Sequence, residues 1–357
     1  MGCCESSNPD LIGLAEEFRN LDLNRRSALK GLLGVAGVIA ISSGVPGSAK
    51  AQGTKVRLAF CGQLLCVIPY EVTRARGHFA DQGIDIELVY TRGGSAAIQA
   101  LVGGAVEYAG SSFDAALQAY KNGADIRRFA STGRLPLFAL ASAPTRVDEL
   151  KSVADLAGRT VGVSALGNAD HALMLFLLSE AGVDHNSVAF ATLGTNLFDA
   201  LRLGQVDAGM VQEPALSLII AAGGGELLNF MEIEQATAQL GGAYEFMGVA
   251  VRAEDRDTRR DEMRRLAAAL KKGLDDTRVN LTPDEIIAAL PSALIAGGDM
   301  DQLKAIIGRY RASLYPETVV IDKAAAGRVM AAHEAAEILA PGEVDLDTLM
   351  DTSILEG

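Results

Sequence analysis

Few side chains in this 357-residue sequence have the types and spacing for covalent chemistry. The four histidines, His78, His171, His185 and His333, are dispersed, and there is no HExxH, CxxC or His pair. Recognisable zinc ligand sets are therefore missing, and no metal or cofactor is expected. Cys61 and Cys66 have four residues between them. In an oxidising compartment they form a disulfide if the turn brings their Cα atoms to about 5–6 Å; two buried thiols are the equal alternative. With His78 or His171 they are also the one conceivable nucleophile–base set. Gly223-Gly224-Gly225 lacks the Lys and Ser/Thr of a phosphate loop and reads as a turn.

The sequence is richer in groups for non-covalent binding, placed at turns that follow expected strands. Cys61-Gly62-Gln63, Ser95, Ser111-Ser112 and Thr132-Gly133 occupy such turns in the first half of the chain. Ser164 to Asn168, Thr195-Asn196 and Gln212-Glu213-Pro214 do so in the second half. Ligands of open α/β sheets sit beyond the carboxyl ends of the strands, where helix N-termini offer free N–H groups. Each Ser, Thr or Asn has a plain alternative as an N-cap. The candidate substrate-binding set is Gln63, Tyr70, Ser95, Ser112, Phe113, Thr132, Gly167, Asn168, Thr195 and Glu213, with no catalytic residue. Tyr70 and Phe113 are candidates to stack on a ring, or else core. A cleft-facing Glu213 opposes a bare anion and suits a cationic or heteroaromatic group; its alternative is a salt-bridged or helix-start acid.

Strands and helices alternate around these turns. Lys55–Phe60 and Gly83–Tyr90 read as strands, Tyr70–Phe79 as a helix, and Gly93-Gly94-Ser95 opens another helix. The pattern returns about one hundred residues on. Gly94-Ser95 matches Gly194-Thr195, Ala100-Leu101 matches Ala200-Leu201, and Gly104, Val106 and Glu107 match Gly204, Val206 and Asp207. Two copies are too few for a solenoid and fit two similar α/β lobes facing each other. Leu135–Ser142 can pass from lobe to lobe and Tyr244–Arg252 can return. The expected parts are lobe 1 in 52–142, lobe 2 in 143–245, and the return to lobe 1 with C-terminal helices in 246–357. Those helices are expected on the first lobe and the outside of the hinge.

The chain carries a formal charge of −13, which argues against a nucleic-acid surface. Arg25-Arg26-Ser27-Ala28-Leu29-Lys30, the apolar run Gly31–Ile41 and Ala49-Lys50-Ala51 follow the order of a cleavable export signal. The run is about half of what a membrane span needs. The arginine pair resembles a twin-arginine signal, with Ala28 in place of the usual Phe, so residues 1–51 read as a signal for the periplasm. Charges in that segment cancel, leaving the whole −13 on 52–357.

The segment Ala75-Arg76-Gly77-His78-Phe79-Ala80-Asp81-Gln82-Gly83-Ile84-Asp85-Ile86-Glu87 resembles a stretch of the SsuA/TauA/THI5-like (NMT1) family. So do Gly93-Gly94-Ser95, Ala105–Ala109, Asp155–Val163 and Gly204–Ala208. The resemblance implies a two-lobed periplasmic binding protein fold of type II, joined by two hinge crossings. It implies a monomeric solute-binding component of an ABC importer, not an enzyme, that captures a small metabolite of the nitrate, sulfonate, taurine or pyrimidine-precursor class. Its partners would be a permease and an ATPase, with the membrane met only through the permease. The cysteine-rich motif of THI5-like pyrimidine synthases is missing, which puts that activity in doubt. The alternatives are an enzyme on the same scaffold acting on a small aromatic or heteroaromatic substrate, and a periplasmic sensor.

Overall fold

The computed structural model describes residues 54–295 and 298–355; the export segment read from the sequence lies outside them. Among the described residues, ten strands form two sheets of five. In chain order they are β1 (Thr54–Cys61), β2 (Ile84–Thr91), β3 (Tyr108–Ser112), β4 (Ile126–Ser131), β5 (Ala139–Ser142), β6 (Thr160–Val163), β7 (Ala189–Thr192), β8 (Ala208–Val211), β9 (Gly225–Asn229) and β10 (Met247–Arg252). The main helices are α1 (Leu64–Ala75), α2 (Gly94–Val102), α3 (Phe113–Lys121), α4 (Ala169–Glu180), α5 (Leu197–Arg202), α6 (Ala215–Ala221), α7 (Ile233–Leu240), α8 (Arg260–Asp275), α9 (Pro283–Ala289), α10 (Met300–Leu314) and α11 (Lys323–Ala335).

One sheet runs β2-β1-β3-β10-β4 and the other β7-β6-β8-β5-β9. β1 is parallel to β2 and β3, while β10 is antiparallel to β3 and β4. The second sheet repeats this: β6 is parallel to β7 and β8, and β5 is antiparallel to β8 and β9. The hundred-residue repeat is thus a repeat of topology, with β3 and β8 in the same place. In each sheet the antiparallel strand is the one that arrives from the other lobe. The second sheet begins at Ala139, so Leu135–Ser142 ends as a strand of lobe 2 and the crossing lies before it. The two crossing segments pair with each other. The amides of Thr132 and Gly133 donate to the Met247 carbonyl, Phe246 donates to Gly133, and Tyr244 donates to Arg134.

The first helix departs from the sequence expectation of Tyr70–Phe79. It begins at Leu64 and contains Pro69. A proline in a helix interior leaves the carbonyl four residues back without its N–H. Here that carbonyl, Leu65 O, accepts from the Tyr315 hydroxyl at 2.8 Å, so a residue 250 positions away makes the helix tolerable. Gly77, at φ +78°, ends it in a conformation that glycine adopts without penalty.

The C-terminal helices reach further than the sequence suggests. α8 and α9 pack on α1, but α11 packs on both α3 and α4, one from each lobe. α10 also ties to lobe 2, since Tyr310 accepts from Asn229 at 3.0 Å and Ser313 donates to Met231 O at 2.7 Å.

Candidate functional site

The carboxyl ends of the parallel strands in both sheets converge on a cavity of about 570 Å³. Its wall draws on Cys61, Ser112 and Val211, the last residues of β1, β3 and β8, and on Ser164 just after β6. The N-terminal turns of α1, α2 and α4 also face it, through Leu64, Ser95 and Ala169. Neither the α1 nor the α2 N-terminus has a side-chain cap, which leaves N–H donors on the lobe 1 wall. Ser95 and Asn168 meet across the opening, Oγ to Oδ1, at 3.4 Å.

Of the ten expected residues, six line the cavity: Gln63, Ser95, Ser112, Asn168, Thr195 and Glu213. Ser112 also caps α3, accepting from the Ala115 amide at 3.1 Å. The other four do not line it. Tyr70 is fully buried, its ring 4.7 Å from that of Phe60 and its hydroxyl 3.2 Å from Thr132 Oγ1. Burial pushes that phenol up to about 12. Thr132 is buried with it. Phe113 is fully buried beneath the Arg128 guanidinium, 5.1 Å from the ring centre. Gly167 turns away, its N–H donating to His171 Nδ1 at 3.1 Å.

The cavity's rings are instead Phe138, Phe198 and Phe246. Phe138 and Phe246 come from the two crossings and meet edge to face at 5.8 Å, a stable arrangement of two quadrupoles. Both lie in segments read from the sequence as crossings, which places the segments but not the direction of the rings. Arg92, Gln99, Asp170 and Met210 were also missed.

The lobe 2 wall is acidic. Glu213 accepts from Ser217 N–H at 3.1 Å and Ser217 Oγ at 3.0 Å, the helix-start role that was its alternative, while still lining the cavity. Asp170 accepts from the amide and hydroxyl of Ser164. Burial raises the Asp170 carboxyl above its ordinary range, and the Ser164 hydrogen bonds oppose this. Among the described residues, Arg92 is the one cation in the wall, and it is exposed.

Cys61 and Cys66 are buried thiols that both line the cavity. Their mutual hydrogen bond lowers the Cys61 thiol and raises that of Cys66 well above the usual value. The histidines considered as bases have other partners. His78 Nε2 stands 2.7 Å from Asp276, and the His171 ring packs on Phe190 at 4.7 Å. Among the described residues, no three His, Cys, Asp or Glu side chains are placed to share a metal ion.

Comparison with solved structures places this architecture among binding proteins. A Bordetella bronchiseptica protein superposes with a TM-score of 0.74 at 25% identity, over 85% of this chain and 96% of its own. The alkanesulfonate-binding protein SsuA from Xanthomonas axonopodis pv. citri, solved with MOPS bound, gives 0.66 at 18% identity over 84% and 99%. The periplasmic nitrate-binding protein NrtA from Synechocystis gives 0.68 at 12% identity over 85% and 88%. The fold is that of a periplasmic binding protein. A search of curated proteins returned no match. The NMT1/THI5-like family model matches residues 66–285, and the chain belongs to that family.

Proposed function

We propose that this protein is the periplasmic solute-binding component of an ABC importer, exported by its N-terminal twin-arginine-type segment and read by a permease–ATPase pair. The observation that carries the reading is the cavity itself. It lies at the facing strand ends of two like lobes, is floored by both crossings, and is lined by polar side chains that need no covalent chemistry. Such a cavity suits capture of a small metabolite between the lobes, with motion at the crossings.

Gln63, Ser95, Ser112, Asn168, Thr195 and Glu213 are the proposed polar contacts, and Phe138 and Phe246 the apolar ones. Two carboxylates inside and one exposed arginine at the edge favour a ligand that presents donors or positive charge to lobe 2. That differs from what the sulfonate and nitrate binders above are named for.

A thermal-shift panel of alkanesulfonates, nitrate, taurine and aminopyrimidines tests the proposal. A solute present at a hundred times its Kd adds about 2.7 kcal/mol of stability, which for a chain of this size raises Tm by roughly 4 °C. No rise with any member, nor with a wider metabolite library, overturns the solute-binding reading.

A further inference from the structure

Cys61 and Cys66 are the only cysteines beyond residue 51. The fold brings them together by a specific local route. Cys61 is the last residue of β1, paired to Thr91. The chain turns at Gly62-Gln63, and Cys66 falls in the first turn of α1, its amide donating to Gln63 O at 2.9 Å. Both side chains are nearly excluded from solvent, at 7% and 4% exposure, yet both form part of the cavity wall. A small reagent that enters the cavity therefore reaches them, whereas one confined to the outer surface does not. Both residues pack in the core, their thiols partner each other, with the Gln63 backbone as a further partner of Cys61, and among the described residues neither belongs to a metal set.

We propose that Cys61 and Cys66 are a reversible dithiol–disulfide pair set in the wall of the ligand cavity. The oxidant is an external disulfide, small or protein-borne. The Cys61 thiolate attacks one of its sulfurs, forming a mixed disulfide and expelling one thiolate. Cys66, once deprotonated, attacks Cys61 Sγ and expels the second thiolate. The pair loses two protons and two electrons, and the external disulfide becomes two thiols. Cys61 is the attacking group because its thiol is the one stabilised as thiolate by its neighbour, and nucleophilicity follows the thiolate. Closing the bond draws the sulfurs to about 2.05 Å. This pulls the first turn of α1 toward β1 and shifts Gln63 and Leu64, which share the wall.

The test needs no solute, so its outcome is separate from that of the transport reading. The purified protein is treated with bis(2-hydroxyethyl) disulfide, acid-quenched and digested with trypsin. The peptide from Leu58 to Arg74 contains both cysteines. The expected product is this peptide two hydrogen masses lighter and free of adduct, restored by reductant. In Cys66→Ser, Cys61 should instead stop at a single mercaptoethanol adduct, which distinguishes attack by Cys61 from failure of the fold. Both thiols unchanged under excess oxidant, or two separate adducts on the wild-type peptide, overturns the proposal.

Discussion

Glu245 and Arg128 meet at the second crossing, and the proton on Glu245 is predicted to set a large part of the pH dependence of stability. Arg128, on β4, is fully buried. Its Nη1 donates to Ser111 O at 3.0 Å, and its Nη2 lies 3.6 Å from Glu245 Oε1. That oxygen has no hydrogen-bond partner. Burial dominates over the attraction of Arg128 and pushes the Glu245 carboxyl from 4.5 to about 7. Below pH 4.5 the group is protonated in both folded and unfolded chains and costs nothing. As pH rises toward 7 the unfolded chain ionises first, so stability falls. Above 7 the loss levels off at about 3 kcal/mol, at about 1.4 kcal/mol per decade of proton affinity. Glu245→Gln imitates the protonated form at every pH. Urea unfolding of both proteins from pH 5 to pH 8 isolates the effect, since all other groups are shared. The variant should be more stable by less than about 1 kcal/mol near pH 5 and by about 3 kcal/mol at pH 8. A difference that stays constant across that range refutes the reasoning.

Glu213→Gln leaves one acceptor oxygen for two Ser217 donors, and the amide group faces the other; unfolding should show a loss of about 1–2 kcal/mol. Isothermal titration with whichever panel solute raises Tm should show affinity reduced roughly tenfold or more. Tighter binding instead identifies the ligand as an anion and reverses the reading of the lobe 2 wall. Gly273→Ala drives a Cβ into the Thr73 side chain where α8 crosses α1. The gain in helix propensity of about 1 kcal/mol is outweighed by overpacking of about 1–3 kcal/mol or more, so Tm should fall by several degrees; an unchanged or higher Tm sinks this account of the crossing.

Six of the ten residues read from the sequence reach the cavity because they belong to strand-end turns, and a strand-end turn is a local signal. Ser95 and Thr195 stand at equivalent turns of a repeated unit, and the fold needs only to place the lobes face to face for both to line the cavity. The four that fail do so for a reason no local pattern carries. Phe113 follows a turn as directly as the others and Tyr70 lies inside α1, but their rings are claimed by packing against Phe60 and Arg128, partners fixed by the sheet and not by spacing. Phe138 and Phe246 show the converse. Neither stands at a strand-end turn, and they become cavity residues only because the crossings pair and put both rings on its floor.

The sequence by itself determined the alternation of strand and helix, the doubling of the lobe, the family, and the turns from which polar groups could reach a ligand. All of these rest on short-range sterics and on a periodicity that needs no partner. Tertiary structure alone decided which rings face the cavity, that Pro69 can lie inside a helix whose freed carbonyl takes the Tyr315 hydroxyl, and that a carboxylate and a guanidinium share the buried crossing. Those outcomes depend on residues as much as 250 positions apart, and only the folded chain brings such groups within hydrogen-bond distance.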